Sequence, residues 1–135
     1  MTIGDLRMMQ TIGNWFNDFK LRFDNKFKVI KYIIFTDKDN KNICKDIYFI
    51  VENKYENIEI KDVSLYIVSN IGRRTITKKA KSYYVRDTTV LIKFHFDEKF
   101  FYNMFTIKSL TFKTSIGNIK KGMRNANCYY RESQV

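Results

Sequence analysis

Residues 27–51 read FKVIKYIIFTDKDNKNICKDIYFIV, two apolar runs separated by a polar turn, and the spacing inside each run is that of a strand. Phe27, Val29, Ile33 and Phe35 alternate onto one face of an extended chain, with Ile30, Tyr32 and Ile34 on the other, so the first run predicts a central strand buried on both sides. Asp37-Lys38-Asp39-Asn40-Lys41 interrupts it as a polar turn. Ile43, Ile47, Phe49 and Val51 supply the return strand, which ends at Glu52-Asn53-Lys54, and the whole stretch reads as a β-hairpin.

The same period of two continues toward the C-terminus. Ile58 and Ile60 are in phase, whereas Val63, Leu65 and Ile67 are in the opposite phase, and one extra residue near Lys61-Asp62 would repair the slip as a β-bulge does. Phe105 and Ile107 followed by Leu110 and Phe112 show a second slip of the same kind. IEIKDVSLYI and FTIKSLTFKT can therefore be aligned, and each follows an apolar strand and a charged turn, a weak internal repeat that favours two sheets. Thr75 to Val85 reads as one polar strand after a loop at Ser69–Arg74, and Thr89 to Phe96 as a strong one, with Val90, Ile92, Phe94 and Phe96 inward and Leu91, Lys93 and His95 outward.

N-terminal to the hairpin the period changes. Met8, Ile12, Trp15, Phe19 and Phe23 recur at helical spacing, and Thr2 with Asp5 fits a capping box, so 5–24 is expected to be an amphipathic helix. Its three acids balance three cations, which suits a helix docked on a sheet better than an interfacial membrane anchor. The 135 residues are expected to form a single mainly β domain: helix 5–24, an antiparallel β-sandwich in the immunoglobulin-like range over 26–114 with about six or seven strands, and a basic loop and tail over 115–135. A compact β-barrel is the alternative.

No apolar run approaches the roughly 20 residues that cross a bilayer, and Asp5 and Arg7 interrupt any leader-like stretch, so an intracellular site is expected. Cys44 and Cys128 lie far apart without clustered His, which predicts two free thiols and no metal site. A single bridge between them remains the alternative.

Catalytic chemistry finds few candidates. His95 is the single histidine and shares a strand face with Lys93, so it makes neither a triad nor a metal cluster. Asp37 and Asp39 resemble the opening of a calcium loop, but Lys41, Asn42 and Tyr48 stand where further ligands and a glycine are needed, and a hairpin turn accounts for the acids. Gly117 and Gly122 lack the phosphate-loop spacing and its lysine. No enzyme, cofactor or small-molecule substrate is implied.

Charge is the remaining signal, at +11 net, and it is uneven. RRTITKKAKSYYVR, residues 73–86, holds Arg73, Arg74, Lys78, Lys79, Lys81 and Arg86 with no acid and with Tyr83-Tyr84; a second cluster holds Lys113, Lys120, Lys121, Arg124 and Arg131, with Tyr129-Tyr130. Cations neutralise phosphates while aromatic faces stack on unpaired bases, so the expected partner is an anion, nucleic acid or an acidic protein. The alternative is an interaction or structural module of a virus, mobile element or bacterial assembly, and a peripheral membrane module ranks third. Lysines on an edge strand also block sheet-to-sheet pairing, and a Lys-, Asn- and Ile-rich composition fits AT-rich codon usage, so 73–86 has an explanation that needs no ligand. In a strand Tyr83 and Tyr84 point to opposite faces, which leaves at most one for stacking.

Overall fold

A computed structural model describes residues 26–72 and 74–133; the helix expected over 5–24 and Arg73 lie outside them. The described chain is mainly β, with nine strands: β1 Phe27–Thr36, β2 Ile43–Asn53, β3 Ile60–Ser69, β4 Thr75–Lys79, β5 Ser82–Arg86, β6 Thr89–Phe101, β7 Phe105–Thr114, β8 Gly117–Gly122 and β9 Asn127–Glu132. One sheet has the order β5-β6-β2-β1-β9 and the other β4-β3-β7-β8. Neighbours are antiparallel except for β9, which lies parallel to β1, so the expectation of a wholly antiparallel fold holds for every pair but this one.

The β1–β2 hairpin forms as its sequence predicts, with two register shifts, one at Ile30 of β1 and one at Lys45 of β2. Val29 pairs with Val51 and Lys31 with Ile50, so Ile30 is a bulge without a partner. Beyond it the inward face passes to Ile34 and Thr36, both buried, and Ile33 and Phe35 turn outward, contrary to the simple alternation. The slips in the later strands fall where the sequence places them. The β3–β7 register shifts between Ile60 and Asp62, and again between Tyr66 and Ile67 where Lys108 is the extra residue on β7. Each of these two bulges restores the apolar phase at the cost of one unpaired residue.

Inward side chains of both sheets share one core. Phe27 of β1 meets Phe112 of β7 edge to face at 4.9 Å, and Phe100 of β6 meets Phe105 of β7 at 5.1 Å, so aromatic pairs join the sheets at two places. Phe49 and Phe94 pack edge to face at 5.5 Å within the larger sheet.

The single strand expected over Thr75 to Val85 is two, β4 and β5. β4 is an edge of the smaller sheet and β5 an edge of the larger, and the chain crosses between them at Ala80 and Lys81, whose N–H groups donate to Val63 O at 2.9 Å and Lys93 O at 2.8 Å. Parity explains the division. Ile76 and Tyr83 are seven residues apart and would face opposite ways in one strand, whereas the crossing turns both toward the interior.

The expected loop and tail over 115–135 likewise holds β8 and β9. A two-residue turn, Ser115-Ile116, joins β7 to β8 because Gly117 adopts φ 123°, a region costly for any residue with a Cβ, and the Thr114 hydroxyl donates to Gly117 O at 2.6 Å. Lys121 hid β8 from a hydropathy reading, since it occupies an inward position beside Ile119.

Two stability measurements check this account. Phe112→Ala, which empties a fully buried ring site, is expected to lower unfolding free energy by about 3–5 kcal/mol in a urea titration. Gly117→Ala is expected to cost about 1 kcal/mol or more without altering the m-value, because the turn keeps its shape under strain.

Candidate nucleic-acid interface

The outer face of the smaller sheet is built from the residues that alternate away from the core. Registers across its four strands place Lys79, Ser64, Thr111 and Lys120 in one row and Thr77, Tyr66, Ser109 and Gly122 in the next. Lys113 pairs with Asp62 and Asn118 in a third. Lys79 and Lys120 thus stand three strand spacings apart, about 14 Å, with hydroxyls between them.

Tyr66 lies near the centre of this face, and the Lys120 ammonium sits 5.9 Å from its ring centroid. Two shallow hollows flank the ring, of about 490 and 270 Å³. Tyr66, Ser109 and Lys120 line both, and the exposed bulge residue Lys108 lines the larger. The Ser109 hydroxyl is buried beneath them without a hydrogen-bond partner among the described residues. Asp62 is the acid of the face, and its carboxylate accepts the Val63 N–H at 2.9 Å.

Of the residues expected at the site, Lys79, Lys113 and Lys120 come together here, drawn from both basic clusters. Others do not. Lys78 alternates inward and lies 4.9 Å over the Phe96 ring, and Lys121 is 6% exposed with its ammonium 5.9 Å from the Phe27 ring, so neither reaches the outer face. The Tyr83 hydroxyl lies 3.1 Å from the carbonyl oxygens of Ile60 and Lys61, tying β5 to the β3 bulge. Tyr84, 65% exposed, and Arg86 face out from the other sheet, on the opposite side of the molecule. Lys81 sits in the crossing, Arg74 before β4, and Arg124 and Arg131 in and after the β8–β9 turn.

Tyr66 and Lys108 are the residues that the sequence reading passed over. Both were within reach of it: Tyr66 is the out-of-phase residue between Leu65 and Ile67, and Lys108 is the extra residue of the second phase slip.

Groups with reactive potential elsewhere are engaged. The His95 Nδ1 and Nε2 atoms lie 2.8 Å and 3.0 Å from carboxylate oxygens of Asp46 and Asp97, so both ring nitrogens have carboxylate partners. The Asp37 carboxylate accepts the Asp39 N–H at 2.7 Å and meets Lys45 at 3.4 Å, contacts that hold it below the usual carboxylate range. Cys44 and Cys128 are unpaired. Burial, with Asp46 adding to it, pushes the Cys44 thiol up to about 12, and burial followed by the Cys128 contact raises the Tyr32 phenol.

No family model, curated protein or solved structure matches the chain.

The thiols provide a check. At pH 8 a thiol titrating near 12 is almost wholly protonated, so an aromatic disulfide reagent is expected to modify at most Cys128 in the native protein and Cys44 only after denaturant is added.

Proposed function

We propose that this chain is a non-catalytic binding module that holds single-stranded nucleic acid across the outer face of the smaller sheet. Lys79, Lys108, Lys113 and Lys120 contact phosphates, and a base stacks on Tyr66. The observation that carries the reading is the juxtaposition of lysines from both basic clusters around one outward tyrosine. A base on Tyr66 has the Lys120 ammonium beside it, and the row of hydroxyls offers hydrogen bonds to sugar and phosphate oxygens. An edge-blocking role accounts for Lys79 on β4 and Lys120 on β8, but not for Lys113 and Lys108 on the interior strand β7.

The architecture proposed with it is an immunoglobulin-like sandwich. Lettering β1 to β8 as A, B, C, C′, D, E, F and G turns the sheet orders into D-E-B-A and C′-C-F-G, the ABED and CFG sheets of that type with one C′ strand added. β9 is an extra strand beside A. The chain departs from antibody domains in having no cysteine in β7 to pair with β2 and no tryptophan in β3.

This topology also favours a second reading, in which the basic face meets an acidic protein, because such sandwiches are frequent among interaction modules. Ionic steering serves either partner.

Fluorescence anisotropy with a labelled pyrimidine oligonucleotide at low salt tests the first reading. Four phosphate contacts predict a log–log salt slope of about −3, at roughly 0.7 per contact on a single strand. Tyr66→Ala is expected to weaken binding by about 1–3 kcal/mol, whereas Tyr84→Ala leaves it unchanged. Absence of binding at micromolar protein would sink the proposal, and a salt-sensitive complex with a polyanionic protein in its place would support the second reading.

A further inference from the structure

A second feature lies away from this face, where the two sheets stand apart. β5 pairs with β6 from Thr89 to Lys93 only, so among the described residues Phe94–Phe101 have β2 on one side and no strand on the other. Facing this open edge is the free edge of β4. A cleft of about 700 Å³ opens between them, walled by Ile76, Phe96, Phe100 and Phe105, with Arg74 and Lys78 on the β4 side and the charged residues Asp97, Glu98 and Lys99 at the β6 rim.

The apolar wall is ordered by aromatic contacts: Phe96 and Phe100 stack at 4.4 Å, and Phe100 meets Phe105 at 5.1 Å. The Lys78 ammonium lies over the Phe96 ring, and none of the ion pairs among the described residues includes it. Of the two acids at the rim, Asp97 is 88% exposed and turned to His95 at 3.0 Å, and Glu98 is exposed. Lys78 is half-buried, set against an aromatic ring and outside every ion pair among the described residues, and such a cation is matched by an anion whose body is apolar.

We propose that this cleft binds amphipathic carboxylates, a hydrocarbon or aromatic body lying along Phe96, Phe100 and Phe105 and the carboxylate meeting Lys78, with Arg74 beside it. The volume falls within the roughly 300–1,000 Å³ of small-molecule sites. An extended peptide suits the edges less well. Asp46 pairs with His95 and Cys44 with Phe100, so residues 96–99 of β6 stand opposite Lys45 alone in a wide bulge that carries Asp97, Glu98 and Lys99. A bulge and charges of this kind block strand addition, as do the adjacent lysines of β4.

Titration calorimetry of the full chain with laurate, kept below micelle formation, tests the proposal, with dodecylamine and dodecanol as probes of equal length. Saturable one-to-one binding of laurate is expected, about tenfold tighter than that of dodecylamine. Lys78→Gln is expected to weaken laurate about three- to fivefold, the size of a part-exposed ion pair, and to leave dodecanol unchanged. Lys79→Gln, on the outer face, leaves laurate unchanged while lowering oligonucleotide affinity, which separates the two sites. Ile76→Trp, checked for folding by its thermal midpoint, fills the cleft and abolishes binding of all three probes. Laurate and dodecylamine binding equally well, laurate binding that Lys78→Gln does not weaken, or no saturable laurate heat would each overturn it.

Discussion

The contact between Phe27 and Phe112 is the constraint from which the remaining geometry follows. It joins the second strand from one edge of the larger sheet to an interior strand of the smaller, and both rings are fully buried. A strand offers only every second side chain to such a core, so each strand must hold its apolar residues in phase over its whole length. The bulges at Lys61 and Lys108 are the means: each removes one residue from the ladder so that the apolar set on either side of it meets the same core, whereas the bulge at Ile30 puts Ile34 and Thr36 inward in place of Ile33 and Phe35. Without the bulges at Lys61 and Lys108, part of β3 or β7 would present its apolar residues to solvent.

The same parity sorts the charges. Adjacent lysines in a strand cannot share a face, so Lys78-Lys79 and Lys120-Lys121 each divide, one member outward and one against an aromatic ring. A cluster that counts as six cations in sequence is therefore a smaller number on any one surface. Lys79 and Lys120 converge because both edges of the smaller sheet turn the corresponding residue out, and Arg86 and Tyr84 leave the cluster because β5 belongs to the other sheet.

Much of the fold was legible in the sequence, and the parts that were not have physical reasons. The period-two runs of the first hairpin and of β6 marked strands, and two phase slips marked bulges, because hydropathy reports directly on which side of a sheet a residue lies. Ile30 escaped notice because an isoleucine fits either face, so its bulge leaves no polar residue out of place. The crossing at Ala80-Lys81 escaped because short edge strands bury too little to show a period, and β8 because Lys121 is buried by its aliphatic stem while its ammonium finds a ring. For the candidate site, composition pointed to the lysines but not to their neighbours across the sheet, since the pairing of Tyr66 with Ser109 and Thr77 joins residues distant in sequence.

Edge protection and the proposed binding need not compete for the same residues of this chain. Lys78 and Lys79 both stand on β4 and both deter a further strand, yet alternation sends one into an aromatic cleft and the other onto the hydroxyl-lined face. A sheet that had closed by pairing β4 with β6 would remove the cleft, and a β6 without its charged bulge would invite such pairing. The bulge at residues 96–99 thus keeps the two sheets from joining at this side, and the aromatic surface left between them is a consequence of that protection. The preference proposed for carboxylates follows from that arrangement, since Lys78 stands against the aromatic surface outside every ion pair among the described residues.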